Sequence, residues 1–172
     1  MSQIRIAKRA LTKEEITQLI DGIRSTPNIT GFTAKELNAF GQPWTAEISG
    51  RLVGVAYVTA IGRHWSDLAL LFVWPEFRGR GVGGALFEAA WQEMVANHKN
   101  IYIVSRAEPV LKLMRAKTMR FVGLIDLPWP VKWDVIFYAL NNPYRIKEFV
   151  RKLIAFPGSP AYHYAIKPFN NG

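Results

Sequence analysis

Between Pro75 and Ala90 the chain reads PEFRGRGVGGALFEAA, with Gly79, Gly81, Gly83 and Gly84 set beside Arg78 and Arg80. Glycine costs backbone entropy in a regular element, so such a cluster marks a place where the chain takes positive φ or lets a ligand approach its backbone closely. A helix that opens on such a turn offers unpaired N–H groups and the positive end of its dipole, which together favour a phosphate. Arginines beside it add charge-assisted hydrogen bonds. The chemistry that suits this pattern is the binding of a pyrophosphate. Two common phosphate sites are excluded by context. Gly79, Gly81 and Gly84 satisfy G-x-G-x-x-G, but the dinucleotide fingerprint needs an early strand–helix–strand unit and an acid closing the next strand. Here at least three strands precede the loop, and the next strand ends YIVSR. The nucleotide P-loop needs Lys-Ser or Lys-Thr after its glycines, and neither follows.

The elements that must hold this loop are read from periodicity and punctuation. Gln3 to Ala10 alternates as a strand. Thr12 with Glu15, and Thr33 with Glu36, have capping-box spacing, each with an apolar staple (Leu11 with Ile16, Phe32 with Leu37), and so open two helices. TAEISGRLVGVAYVTAI predicts two strands about a Ser49-Gly50 turn, and Asp67 to Trp74 a third that Pro75 ends. Val82 to Ala96 is helical in composition, Ile101 to Ser105 a strand and Glu108 to Thr118 a helix. Phe121 to Asp126 and Trp133 to Leu140 read as two more strands. Antiparallel hairpins and helical crossovers in one chain give a mixed-sheet α/β sandwich. Asn142 and Pro143 then sit at Ncap and N1 of a further helix, in which Ile146, Phe149, Val150 and Leu153 form an apolar face and Arg145, Lys147, Arg151 and Lys152 a basic one. The plain reading is a packing appendage with a solvated basic face, the alternative a contact to nucleic acid or a membrane surface. AYHYAIKPF adds a final edge strand. The expected organisation is one domain over 1–141 with a basic helix and tail, 142–172, packed on it.

Composition bounds the rest. The chain has 172 residues, 49% of them hydrophobic and 20% charged, as expected of a globular domain. It has no cysteine, which removes disulfides, thiolate metal sites and cysteine-linked intermediates and fits a cytoplasmic setting. Three scattered histidines argue against a metal site. No apolar run approaches the ~20 residues that span a bilayer. A net charge of +9 suits an acidic partner: a nucleotide cofactor, a nucleic acid or an anionic surface.

The segment FVWPEFRGRGVGGAL resembles the acyl-CoA binding motif of the Gcn5-related N-acetyltransferases (GNAT), whose pattern is Gln or Arg, two residues, Gly, one residue, Gly or Ala, after a strand ending in Val-x-Pro. Arg78, Gly81 and Gly83 hold the motif positions, with Val73 and Pro75 before them. The resemblance extends from about residue 3 to 140. It implies a mixed, mostly antiparallel central sheet flanked by helices, here with a C-terminal helical appendage. It also implies acetyl-CoA as cofactor, with its pantetheine arm against backbone groups near Phe72 and Val73 and its pyrophosphate on Arg78, Gly79, Arg80, Gly81, Val82, Gly83 and Gly84. Ser105, ending the next strand, is placed with the cofactor contacts.

The activity implied is direct attack of an amine on the thioester, which suits a chain without a cysteine nucleophile. A backbone N–H near Val73 then stabilises the oxyanion. Part of the family carries a carboxylate base where Asp67 stands, and His64 is a second choice by intrinsic pKa. The family's second motif usually ends in Tyr, three residues, Gly-Phe, the tyrosine protonating the departing thiolate. If Phe121 holds the phenylalanine position, Ala116 stands in the tyrosine's place and Arg120 in the glycine's, which leaves Tyr138 or Ser105 as substitutes. The acceptor is expected to be a small-molecule or protein amine chosen by the regions around Ser25 to Gly41 and Leu127 to Lys132. The alternatives are a non-catalytic CoA-binding protein or an acyltransferase acting on an amine of a nucleic acid, such as a modified base or aminoacyl-tRNA. The expected assembly is a monomer or homodimer.

Overall fold

In the computed structural model, which describes residues 3–140 and 142–169 with the side chains of 138–140 excepted, both capping boxes form as spaced. Thr12 Oγ1 accepts from the Glu15 N–H while Glu15 accepts from the Thr12 N–H, opening α1 (Lys13–Arg24). Thr33 and Glu36 do the same for α2 (Ala34–Ala39). Each cap satisfies donors that the first helical turn leaves free, typically ~1 kcal/mol. Ile16, Leu19 and Ile23, spaced for one helical face, are the buried residues of α1.

Seven strands form one sheet in the order β1-β2-β3-β4-β5-β7-β6. β1 (Ile4–Lys8), β2 (Trp44–Ile48), β3 (Arg51–Ile61) and β4 (Trp65–Val73) run antiparallel to one another, with Ser49 and Gly50 in left-handed backbone at the β2–β3 turn. The helix α3 (Val82–Ala96) crosses over to β5 (Asn100–Ser105), which lies parallel to β4. α4 (Glu108–Ala116) leads to the short β6 (Arg120–Val122). The last strand, β7 (His163–Lys167), is interior: it sits between β5 and β6, antiparallel to both, where an edge strand was expected. α3 packs on one face of the sheet through Val82, Leu86, Phe87, Ala90 and Met94; α1 and α2 cover the other against Val55, Tyr57, Leu70 and Phe72.

The segment between β6 and β7 corrects the sequence reading twice. Trp133 to Leu140 is not a strand but part of the helix α5 (Trp129–Leu140). Its aromatic and β-branched residues favour strands locally, yet Leu127, Val131 and Val135 recur every four residues and pack with Tyr102 and Ile166 of the sheet, and that burial decides the conformation. The second correction concerns α6 (Pro143–Ala155), which begins on the Asn142 cap and Pro143 as expected. Its orientation is the reverse of that expected: Arg145, Glu148 and Lys152 are buried, and the apolar face is turned out. The Lys152 ammonium donates to the carbonyls of Ile23 and Ile29, and Arg145 donates to Gly31 O and to Glu36, in the link between α1 and α2 and the start of α2. The buried cations of α6 thus supply donors to carbonyls at the end of α1 and in the loop after it, adding to the Thr26 N–H that Ile23 O already accepts.

Candidate active site

The glycine loop takes the backbone form that its composition suggested. Gly79 and Gly81 lie at φ 74° and 81°, and an added Cβ at either, or at Gly84, would meet nothing within 4 Å. Gly81 is the N-cap of α3 and brings no side-chain cap. The first bond of the helix runs from Ala85 N–H to Gly81 O at 3.0 Å, so the N–H groups of Val82, Gly83 and Gly84 have no carbonyl partner within α3. Arg78 Nε donates to Val73 O at 3.0 Å, and the guanidinium groups of Arg51 and Arg80 both lie over the Phe77 ring. Three free donors, a dipole end, exposed arginines and open space fit a pyrophosphate.

Above this loop the sheet forks. β4 and β5 pair only at Trp65, Ser66 and Asp67 with Asn100, Ile101 and Tyr102. Beyond that point β4 continues to Val73 bonded to β3, and β5 continues to Ser105 bonded to β7. Trp74 N–H donates to Val53 O, so by strand alternation Phe72 and Leu70 also direct their backbone groups to β3, while Leu71 and Val73 turn theirs towards the fork. Of the two strand residues named from the sequence, Val73 faces the fork and Phe72 is buried against Gly22 and Trp74. Ser105 is buried, and its Oγ accepts from the Ala107 N–H at 3.1 Å, ahead of α4.

Asp67 stands at the base of the fork because of a bulge. Tyr57 pairs with Leu70 but Val58 with Leu68, so Ala69 is an extra residue in β4. A bulge inverts the in–out alternation. Leu68 consequently joins the α3 side, and Asp67 emerges with Ala69, Leu70 and Phe72 on the face that carries α1 and α2. There it borders a cavity of about 450 Å³, at the stretch of β3 beyond Ala56 that β2 leaves unpaired, with Phe40, Thr59, Ile61, Ala69 and Asp134 around it and Glu93 and Asn97 also in its wall. Asp67 Oδ1 is out of solvent and has no hydrogen-bond partner among the described residues. Burial, and then the nearby Asp134 carboxylate, push its pKa up to about 8. The neighbouring Tyr102 is also enclosed, its hydroxyl without a partner among the described residues, and burial followed by the charge of Asp67 holds it firmly in the phenol form. Glu93 is taken up by Lys8 Nζ at 2.7 Å and Trp44 Nε1 at 2.6 Å, and no cation is among the described residues that line the cavity.

The structure does not bring His64 here. His64 is exposed in the β3–β4 turn, at the end of β4 away from the glycine loop. Tyr138 belongs to α5, and its side chain lies outside the described residues. Asp134 and Tyr102 were missed. The signal for Tyr102 was its register opposite Asp67, whereas Asp134 could be placed only once its segment was known to be a helix. Among the described residues no group of three His, Asp or Glu side chains is set to hold a metal.

Residues 40–120 match the acetyltransferase (GNAT) domain family. Among solved structures, N-acetylglutamate synthase from Neisseria gonorrhoeae, complexed with coenzyme A and N-acetyl-glutamate, superposes with TM-score 0.69 at 15% identity, over 99% of this chain and 36% of that one. This chain thus spans about a third of the synthase. The ribosomal-protein-S18-alanine N-acetyltransferase of Escherichia coli gives TM-score 0.63 at 11% identity, covering 99% and 96% of the two chains. A GNAT family acetyltransferase from Elizabethkingia anophelis with acetyl-CoA bound gives 0.52 at 13%, covering 70% and 78%. No curated protein sequence matches the chain. Residues 40–120 thus match a GNAT acetyltransferase domain, and the chain shares the fold of the N-acetyltransferases it superposes on.

Proposed function

We propose that this protein is an acetyl-CoA-dependent N-acetyltransferase acting on a primary amine that arrives as a cation. The observation that carries this reading is the fork between β4 and β5, with a glycine-rich helix start following its outer strand and a buried carboxyl at its base. The residues present fit the cofactor: Val82, Gly83 and Gly84 N–H with Arg78 and Arg80 for the pyrophosphate, and the fork-facing groups of Leu71 and Val73 for the pantetheine arm. Bound there, acetyl-CoA supplies an acyl thioester open to attack by an amine.

The chain's own groups do the rest. With carboxyls and no cation in its wall, the cavity favours an ammonium over an anion. Beside that positive charge the Asp67 carboxyl ionises more readily, because an opposite charge lowers a carboxylate's pKa. The resulting carboxylate is placed to accept the proton that the amine must lose to become a nucleophile. Leu71 and Val73 N–H are donors for negative charge developing in the fork. Tyr102, a protonated phenol next to Asp67, is the proton source we assign in place of the family's tyrosine, at whose position Ala116 stands. A thiol leaves well, with a pKa near ~8.5 by analogy with cysteine, so this acid contributes less than a typical one.

Thermal denaturation tests the cofactor before any acceptor is known. Acetyl-CoA at a hundredfold excess over Kd stabilises the native state by about 2.7 kcal/mol, and NAD leaves it unchanged. Folded protein whose melting does not respond to millimolar CoA or acetyl-CoA contradicts the reading.

A further inference from the structure

We propose that α5 and α6 form a docking face for an anionic membrane surface. A helix with a strong apolar stripe ordinarily buries it, and α6 does the opposite: Ile146, Phe149, Val150, Leu153 and Ile154 are 45 to 77% exposed, while Arg145, Glu148 and Lys152 are packed inside. α5 lies against α6 and adds a second outward stripe, in which Trp129, Trp133 and Phe137 follow one another at helical spacing with ring centroids 5.3 and 5.7 Å apart. Ile125, held beside α5 through its carbonyl and Lys132 Nζ, is 86% exposed. Soluble monomers seldom expose large contiguous apolar patches, and here eight large apolar side chains lie outward on two adjoining helices with Ile125 beside them.

Charge selects the occupant. The acids on these helices are Asp134, turned to the cavity, and Glu148, buried and bonded to Arg151. Asp134 is also open to solvent at the cavity mouth, and Asp126 is exposed beside Ile125. Against these three acids stand four cations, Lys147, exposed, and Lys132, Arg151 and Arg24, at least partly so, the two arginines shared with Glu148, so positive charge is in excess around the patch. Exposed tryptophans among lysines match the interface of an anionic bilayer, where the rings sit at headgroup depth and the cations meet lipid charge. A second copy of this chain would instead bring two +9 bodies together. Among the described residues no helix is long and apolar enough to cross a membrane, so the contact is with its surface.

The test is co-sedimentation of the full chain with vesicles of phosphatidylcholine alone and of phosphatidylcholine mixed with phosphatidylglycerol, followed by tryptophan emission. Trp129 and Trp133 are the exposed tryptophans among the six, so binding shifts emission to the blue. The protein is expected to pellet with the mixed vesicles and to be released by salt. Lys147→Gln weakens binding to them about fivefold, the value of one cation at an anionic surface. The double variant Phe137→Ser with Ile154→Ser abolishes binding and keeps the acetyl-CoA melting shift. Three results overturn the proposal: no binding to mixed vesicles at low salt, binding that the double variant retains, or a concentration-dependent dimer that the double variant dissociates.

Discussion

A carboxyl with a pKa about 8 is mostly protonated at neutral pH, and that single property of Asp67 has consequences for rate and for stability. If Asp67 is the base, the rate at saturating acetyl-CoA rises with pH through an inflection near 8. Asp134→Asn removes the like charge and moves that inflection to lower pH, read from pH–rate profiles of the two proteins. For stability the sign is opposite. Asp67 holds a proton in the folded state over a range in which the unfolded chain, with its ordinary value of 3.8, has lost it. Stability attributable to Asp67 therefore falls as pH rises from 3.8 to about 8 and is level above. Asp67→Asn removes this fall, so the gap between the variant and wild type in thermal unfolding widens with pH over that window. At the other end of the fork, Gly81→Glu sets a carboxylate where a phosphate is expected and places a side chain at φ 81°, which costs roughly 1–2 kcal/mol. The variant is expected to stay folded and to lose the acetyl-CoA melting shift. Unchanged affinity for CoA would put the pyrophosphate elsewhere.

At the scale of elements, what could be read from the sequence was what is decided locally. Thr12 and Thr33 cap as spaced, and α3 begins at Val82 because Gly81 can take a left-handed turn there. α5 was read as a strand because its composition favours one and only distant partners, Tyr102 and Ile166, decide otherwise. Period identified both faces of α6, but not which of them faces inward, since that depends on carbonyls of Ile23, Ile29 and Gly31 more than a hundred residues earlier. Nor could the bulge at Ala69 be foreseen, and without it Asp67 would point to the α3 side. The reversed α6 makes a prediction against ordinary expectation. Lys152→Met keeps the stem but removes the donor from Ile29 O, while Ile23 O keeps the Thr26 N–H, destabilising by ~1–3 kcal/mol for the carbonyl left without a partner. Leu153→Ser, one residue on and outward, changes stability by less than ~0.5 kcal/mol. Urea denaturation of the two variants separates them, and equal losses would mean that α6 is turned the other way.

Across the whole molecule, the +9 charge is less available than its magnitude suggests. Arg145 and Lys152 are buried, Arg151 is bound to Glu148, Arg115 to Glu108 and Lys117 to Glu88. They are five of the eight cations in 112–120 and 145–152 that the sequence would offer to nucleic acid; Lys112, Arg120 and Lys147 stay exposed. Binding to RNA or DNA should therefore be undetectable at about 0.15 M salt. Tight binding there with a log-log salt slope of several units would restore the nucleic-acid acceptor. The open charge instead surrounds the glycine loop, suited to a multiply anionic cofactor, and the outward side of α5 and α6. Inside, the described residues lining the cavity include carboxyls and no cation, which is the ground for proposing a cationic acceptor beside an anionic donor. The measurement that tests this account most directly is release of free CoA thiol from acetyl-CoA in the presence of small cationic amines, for wild type and Asp67→Asn at pH 8. The account predicts amine-dependent thiol release by wild type, at least about a hundredfold slower in the variant, as expected for loss of a general base. Thiol release by Asp67→Asn at the wild-type rate, or no release with any cationic amine from protein that acetyl-CoA stabilises, would contradict it.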